Sequence, residues 1–343
     1  MMEVLVNGRF SLQRITGVQR HAREVSARLG QRVRMVTPAR IRGQAPDHLW
    51  EQFFLPRVVR GNVLWSPCGT GPLGIGRQVI TVHDTGFVDT PQYYSRQFAA
   101  WYRWLIPRLI RRVAHVITVS EFSRSQLIRH FQADPQRITV APNGVEGFEP
   151  AGPDAVREAR RRHGLEREYL LYVGSLKPNK NLDRVLAAWQ RTGLAQRDLE
   201  LAVAGAPGDV FGRQRVASPP RGVRLLGYVD DADLPALYTA AMAFVFPSLY
   251  EGFGMPAAEA MACGAPVLAS TTTSLPEVCG DAAVLVDPTS VEAIAEGMLA
   301  LVDGDALRGE LRERGFERVR QFTWRRAAET TWQVLERVRA DAA

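Results

Sequence analysis

Short β-branched apolar runs alternate along the chain with helix-length stretches in which apolar positions recur every three or four residues. The strand-like runs of the first half are Val4–Asn7, Val33–Thr37, Val63–Ser66, Val79–His83, Val116–Ser120 and Ile138–Ala141. Those of the second half are Tyr169–Gly174, Leu199–Ala204, Val223–Leu226, Ala243–Pro247, Pro266–Ser270 and Ala283–Val286. Continuously apolar strands separated by helices predict parallel sheets covered on both faces. Two such sets predict an α/β chain with two doubly wound domains, which suits 343 residues, too many for one ordinary core. The boundary is expected within 147–168, where "GFEPAGPDAVREARRRHGLERE" passes from a Pro/Gly turn into a charged helix. The expected domains are 1–150 and 151–323. A last helical segment within 324–343 is expected to pack back across the junction. No repeat of 20–50 residues is present, so any symmetry between the halves is architectural.

Composition narrows the class. An apolar fraction of 46% and a charged fraction of 23% are those of a water-soluble globular chain. No run of eighteen apolar residues occurs, and "MMEVLVNGRF" reads as a first strand rather than a leader peptide. Cys68, Cys263 and Cys279 are odd in number and widely spaced. They predict neither disulfides nor a zinc site, and point to a reducing cytoplasm. Charge is unevenly shared: residues 1–150 hold 20 Arg, no Lys and 10 acids, a net +10, whereas 151–343 hold 23 basic and 26 acidic residues, a net −3. The first half is expected to face something anionic: nucleic acid, a membrane surface or a phosphorylated acceptor.

In open α/β sheets ligands lie beyond the carboxyl ends of the strands, so the loops after the strands carry the candidate chemistry. "GTGPLG" at 69–74 fits GxGxxG and follows a strand, but no helix opens there. A second Gly-rich turn and another strand follow, and Pro72 lacks an amide donor. An irregular loop is predicted, not a dinucleotide site.

"EGFGMPAAE" at 251–259 is better placed, between a strand and a helix with Pro256 in its first turn. Gly252 and Gly254 let backbone approach a ligand, and the helix start offers a positive dipole end for phosphate. Glu259 lies one turn in, within reach of ribose hydroxyls, while Glu251 faces whatever extends beyond the phosphate. "YVGSLKPNKNL" at 172–182 turns on Gly174 and Pro178 and presents Lys180, a cation suited to a diphosphate. His83 ends a strand at a carboxyl edge. "DDAD" at 230–233 has the look of an acidic metal motif, but it precedes "LPALY" and is expected to cap that helix.

These motifs resemble retaining nucleotide-sugar glycosyltransferases of the GT-B fold, in the group called family 4. The signature is E-x7-E in "EGFGMPAAE". The likeness extends through "TGVQRHARE" at 16–24, "TVHDTGF" at 81–87, "VSEFSRSQL" at 119–127, "APNGVE" at 141–146 and "GYVDDADLPALY" at 227–238. It is strongest to the mannosyltransferase-like branch that builds bacterial surface polysaccharides. The resemblance implies two Rossmann-like domains facing across a cleft, the first binding acceptor and the second binding nucleotide sugar. It implies that Glu259 holds the ribose, and that Glu251 with the backbone of Phe253, Gly254 and Met255 holds the sugar and distal phosphate. Lys180 would meet the diphosphate, the backbone near Tyr228 and Val229 the base, and His83 the donor sugar. The loop at Thr16–Gly17–Val18 would close over the phosphates. Ser175 departs from the pattern, because much of the family carries Arg there. Diphosphate neutralisation then rests on Lys180, on Lys177, on helix amides, or on an arginine such as Arg14 or Arg20.

The expected activity is transfer of a hexosyl group, best matched by mannose from GDP-mannose, to a saccharide or lipid-diphosphate-linked saccharide, with retention and without a metal or other cofactor. A UDP-sugar donor, a sugar-nucleotide epimerase and a non-catalytic nucleotide-sugar-binding subunit are the alternatives. "FAAWYRWLIPRLIRR" at 98–112 joins Trp101, Tyr102 and Trp104 to Arg103, Arg108, Arg111 and Arg112. This stretch reads either as an acceptor or membrane-surface stripe at the inner face of the plasma membrane, or as an ordinary helix with its tryptophans in the core. No nucleic-acid motif accompanies the positive charge.

Overall fold

The computed structural model describes residues 2–13, 15–38, 47–175, 177–205 and 219–341. Two compact units are present, each built on a six-stranded sheet. Unit 1 comprises Met1–Pro91, Arg96–Gly144 and Phe322–Ala343; unit 2 comprises Gln92–Ser95 and Val145–Gln321. The break after Gly144 assigns the Pro/Gly turn near 147–152 to unit 2. The C-terminal helix belongs with unit 1.

In unit 1 the elements run β1 (Val4–Asn7), α1 (Gly17–Leu29), β2 (Arg34–Val36), α2 (Asp47–Leu49), a π-helical turn (Trp50–Phe54) and α3 (Leu55–Val59). They continue through β3 (Val63–Ser66), β4 (Gln78–Thr81), α4 (Gly86–Asp89), α5 (Arg96–Arg112), β5 (His115–Thr118), α6 (Glu121–Phe131) and β6 (Ile138–Val140). The sheet order is β2-β1-β3-β4-β5-β6 and all pairs are parallel. One core gathers Leu5, Leu64, Trp50, Leu55 and Val59. Another joins Ile80, Val82 and Phe87 to Leu105, Ile106, Leu109 and Ile110 of α5.

Unit 2 runs α7 (Pro153–His163), β7 (Glu168–Val173), α8 (Leu182–Thr192), β8 (Leu199–Ala204), β9 (Val223–Gly227), α9 (Leu234–Ala240) and β10 (Ala243–Phe246). Then come α10 (Met255–Ala262), β11 (Val267–Ser270), α11 (Leu275–Cys279), β12 (Ala283–Val286), α12 (Val291–Asp303) and α13 (Asp305–Val319). Its parallel sheet is ordered β12-β11-β10-β7-β8-β9. Trp189 and Leu186 of α8, Met298 and Leu301 of α12, and Leu170, Val203 and Val245 of the sheet form the core. Gly297 permits the close approach of α12, since a Cβ there would lie 2.6 Å from Leu268 Cδ1.

All twelve expected strands occur, with ends moved by a residue or two. β4 stops at Thr81, so His83 stands in the following loop. β5 stops at Thr118, which leaves Ser120 to cap α6 by accepting a hydrogen bond from the Ser123 amide at 3.0 Å. "GTGPLG" forms the expected irregular loop. The buried Gln78 side chain holds it, donating to the Pro72 carbonyl at 3.0 Å, and a Cβ on Gly71 would lie 2.0 Å from Gln78 Oε1.

The last helix, α14 (Trp324–Ala340), packs on α1 and runs against β3, β4 and β5. Its apolar face, Trp324, Ala327, Ala328, Val334 and Leu335, is buried, and Thr323 caps it by accepting from the Arg326 amide at 3.1 Å. A helix without a partner would leave that face in water, so α14 is a structural part of unit 1. Trp324→Ala is expected to destabilise the protein by about 3–5 kcal/mol in urea denaturation, the cost of a large cavity. A loss below about 1 kcal/mol would mean that α14 is only loosely docked.

Candidate active site

The strand order of unit 2 reverses between β7 and β10, and a crevice at the carboxyl ends of two such strands is where doubly wound sheets bind ligands. The loops leaving these two strands carry Lys180 and Glu251. Lys180 Nζ donates to Glu251 Oε1 at 2.5 Å, with side chains only 16% and 11% exposed. The same oxygen accepts from Ser248 Oγ at 2.7 Å, and the ammonium lies 5.1 Å from the centre of the Phe246 ring. Two residues expected to touch neighbouring parts of one ligand are thus each other's partners.

Side-chain to backbone bonds fix both loops. Asn181, at φ +64°, donates through Nδ2 to the carbonyls of Pro247 and Pro288 at 2.8 and 2.7 Å. Asn179 Nδ2 reaches the Tyr250 carbonyl at 3.2 Å, and the Leu249 amide returns to the Asn179 carbonyl at 2.8 Å. Ser274 Oγ donates to the Glu251 carbonyl at 3.0 Å. The asparagines of "KPNKN" therefore lock the lysine loop to the glutamate loop, a role the sequence did not disclose.

Gly254 precedes α10 with φ +93°, and a Cβ there would lie 2.5 Å from Leu275 Cδ2. This position needs glycine for both conformation and space. Met255 opens the helix, Pro256 follows in its first turn, and Glu259 is buried one turn further on. Phe253 is buried as well. Ser175, half-buried, follows β7, and its carbonyl accepts from the Lys177 amide at 2.7 Å. After β9, Tyr228 is 61% exposed and Val229 buried. Arg14 lies outside the described residues. Arg20 is half-buried in α1.

The expected capping role of "DDAD" is corrected. Asp233 occupies the N-cap position of α9, but its carboxylate binds Arg162 at 2.5 Å and His163 at 3.0 Å rather than helix amides. Burial pushes its acidity down, yet Arg162 and His163 outweigh that and hold the carboxyl below its usual range. The Arg162 guanidinium, together with the His163 ring, competes better for the carboxylate than neutral amides do. Among the described residues no group of three or more His, Cys, Asp or Glu is arranged to hold a metal ion.

In unit 1 the motifs "TGVQRHARE", "TVHDTGF", "VSEFSRSQL" and "APNGVE" converge. Gly17 is exposed at the start of α1, behind a Thr16–Gln19 capping box. His83 Nε2 donates to the Pro67 carbonyl at 2.8 Å, and its own carbonyl accepts from Ser123 Oγ at 3.0 Å. Burial lowers the pKa of His83 to about 4, although the Pro67 bond favours the charged form. At neutral pH the ring is uncharged, with Nδ1 left as an acceptor. His21 packs edge-on at 4.9 Å, buried and bonded through Nδ1 to Asn143 Oδ1 at 2.8 Å. Burial, then the neighbouring His83, lowers His21 to about 3. Its Nε2 has no hydrogen-bond partner among the described residues.

A second polar cluster lies at the switch point of unit 1, between β1 and β3, and was missed from sequence. Glu51, fully buried, accepts from Asn7 Nδ2 at 2.7 Å and Thr70 Oγ1 at 3.1 Å, and faces Arg9 at 3.6 Å. Arg9 also donates to Thr70 at 2.8 Å. Burial raises the Glu51 pKa, but His48, Arg9 and Asn7 more than reverse this and keep it ionised. Asn7 and Arg9 follow the first strand directly, which was the available signal; nothing in the sequence marked Glu51.

The α5 stripe divides. Trp101 and Tyr102 are half-buried against the core of unit 1, whereas Trp104 is 43% exposed with the Arg108 guanidinium 4.6 Å above its ring. Arg103, Arg111 and Arg112 are exposed.

Two predictions follow from this geometry. Gly254→Ala is expected to cost about 1–3 kcal/mol of stability, read as a lower thermal midpoint. Gly309→Ala, in α13 with open space around it, is the control expected to be neutral or stabilising. Because His21 and His83 titrate well below an unfolded imidazole near pH 6.5, their neutral forms support folding fully above that pH. That support is expected to fade as pH falls from 6.5 through about 4 and 3. Urea midpoints at pH 7, 6 and 5 check this; a flat profile would contradict it.

Comparison with known proteins gives the family and the fold. Residues 15–146 match the family described as Glycosyltransferase Family 4, and residues 156–318 match Glycosyl transferases group 1. The O-antigen chain mannosyltransferase B of Escherichia coli is 36% identical over 74% of this chain and 68% of its own length. An MMP alpha-(1->4)-mannosyltransferase of Mycolicibacterium hassiacum is 30% identical over 80% of this chain and 70% of its own. The solved sucrose-phosphate synthase of Thermosynechococcus elongatus superposes with a TM-score of 0.76 over 99% of this chain and all of its own. At 21% identity it speaks to the shared fold. The chain belongs to the family 4 glycosyltransferases of the GT-B fold, in their mannosyltransferase-like branch.

Proposed function

We propose that the protein is a retaining, metal-independent mannosyltransferase that uses GDP-mannose to extend a saccharide or lipid-linked saccharide in bacterial surface polysaccharide synthesis. The observation that carries the donor site is the Lys180–Glu251 pair at the switch point of unit 2, next to the glycine-started helix α10 with Glu259 one turn in. The choice of mannose is supported by the similar proteins, whose names describe an O-antigen chain mannosyltransferase and an alpha-(1->4)-mannosyltransferase.

In this reading Glu259 accepts hydrogen bonds from the ribose, and the amides at the start of α10 face the diphosphate. Lys180 turns from Glu251 toward the phosphates, and the released carboxylate takes sugar hydroxyls. The charge that develops on the departing diphosphate is then met by a cation and a helix dipole already in place. His83 offers Nδ1 as an acceptor to a hydroxyl of the donor sugar. With sugar bound, Glu251 Oε1 keeps the Ser248 hydroxyl and accepts from sugar hydroxyls, which makes it a stabilised anion and a poor nucleophile. This favours attack by the acceptor from the face the nucleotide leaves, without a covalent sugar–enzyme intermediate.

Calorimetric titration with GDP and UDP tests the donor. GDP is expected to bind at least about tenfold more tightly than UDP, and Glu259→Ala to weaken it by at least about tenfold, roughly 1.4 kcal/mol. Tighter UDP binding would keep the fold but discard the mannosyl branch; binding of neither would favour a non-catalytic role. NMR of the anomeric proton of the product checks retention, and a trapped glycosyl adduct would overturn the same-face mechanism.

A further inference from the structure

A cavity of about 550 Å³ opens in unit 1 at the amino ends of β4, β5 and β6, the sheet edge opposite the loop that carries His83. Arg77 stands just before β4, His115 begins β5 and Arg137 stands just before β6. The last turn of α14 brings Arg337 to the same cavity. Three guanidiniums and an imidazole thus meet there from separate parts of the chain.

None of these three arginines makes an ion pair with a described residue. Arg137 uses only its Nε, which donates to the Ala114 carbonyl at 3.2 Å and fixes the guanidinium at the cavity wall. Two acids line the cavity as well, Asp134 and Asp341, both exposed. Asp134 accepts from the Gln136 amide at 2.9 Å, capping the short turn Pro135–Arg137, and neither acid is within ion-pair distance of the arginines. Elsewhere the chain pairs even its exposed arginines, as Arg34 with Glu3 at 2.8 Å and Arg191 with Glu292 at 2.7 Å.

His115 registers the resulting field. It is buried, with Nε2 bonded to Thr139 Oγ1 at 2.8 Å. Burial, then the charges of Arg337 and Arg137, lower its pKa to about 4. The ring is therefore neutral at pH 7 and lies in a positive potential that an anion would relieve.

A guanidinium presents paired planar donors that match phosphate oxygens. A cavity of this size has room for more than one phosphate group, and Gly76, Ala114 and Val338 give it an uncharged wall. We propose that this amino-edge cavity binds a small organic phosphate, with the phosphate on Arg77, Arg137 and Arg337 and the rest of the molecule inside. Such a ligand ties the last turn of α14 to the sheet edge. The site lies wholly within unit 1 and stands independently of the donor assignment in unit 2.

NMR of the His115 ring in the full chain, assigned with His115→Gln, tests this. Titration with glucose 6-phosphate at pH 7 is expected to shift the ring signals saturably and to raise the thermal midpoint. Inorganic phosphate is expected to bind at least about tenfold more weakly, and glucose not at all. Arg77→Ala with Arg337→Ala, both at exposed positions, is expected to weaken glucose 6-phosphate binding at least about tenfold. An unchanged midpoint without ligand shows that this variant is folded. Arg103→Ala with Arg111→Ala removes equal charge from α5 and is expected to leave binding unchanged. Glu259→Ala is expected to keep the His115 response, which separates this site from the donor site of unit 2. The proposal is overturned if neither phosphate moves the His115 signals, or if inorganic phosphate binds as tightly as the ester. It is also overturned if the Arg77 and Arg337 variant responds as the wild type does.

Discussion

The candidate site of unit 2 depends on one ion pair in a poorly solvated place. Lys180 and Glu251 are both more than four-fifths buried, so neither charge can stand without an opposite partner. Strand order brings them together, since β7 and β10 are neighbours although some seventy residues separate the two loops. The surrounding bonds from Asn179, Asn181 and Ser274 hold backbone, and Ser248 holds both the Asn179 carbonyl and the Glu251 carboxylate, which keeps the loops fixed around the pair. In the proposed function this pair supplies a cation and an anion to the two ends of the donor.

Unit 1 applies the same rule with different residues. Its order reverses between β1 and β3, and there Arg9, Glu51, Asn7 and Thr70 form a buried network that leaves Glu51 Oε2 without a hydrogen-bond partner among the described residues. Further along the same sheet edge, His83 is held by Pro67 and Ser123, with His21 packed edge-on beside it. Both imidazoles are kept neutral by burial, so this edge offers hydrogen-bonding nitrogens without charge. The contrast with unit 2 is chemical: ion pairing suits a diphosphate, and neutral acceptors suit sugar hydroxyls.

Much of this was legible before any coordinates. The twelve strands, the parallel α/β class and the loops that carry Lys180, Glu251 and His83 follow from periodicity and from Gly and Pro placement. Local signals were less reliable where a longer-range partner competed. Asp233 has the position of a helix cap and the contacts of a salt bridge, because Arg162 and His163 arrive from α7. The aromatic stripe of α5 looked uniform in sequence, yet Trp101 and Tyr102 serve the core while Trp104 faces water. The exposure of Phe53 and Phe54 on the π-helical turn was not legible, since an apolar run by itself reads as core.

By itself, then, the sequence determined what depends on neighbours a few residues away: strand or helix, the turn at Gly254, and the polar residues at strand ends. Only the tertiary structure decided which of those ends meet. The joining of Lys180 to Glu251, of His21 to Asn143, and of Glu51 to Arg9 and Asn7 is set by strand order and helix packing. The physical reason is range. Periodicity and turn chemistry act along the chain, whereas the cost of burying a charge or a hydrogen-bonding group is settled by whatever residue the fold brings alongside.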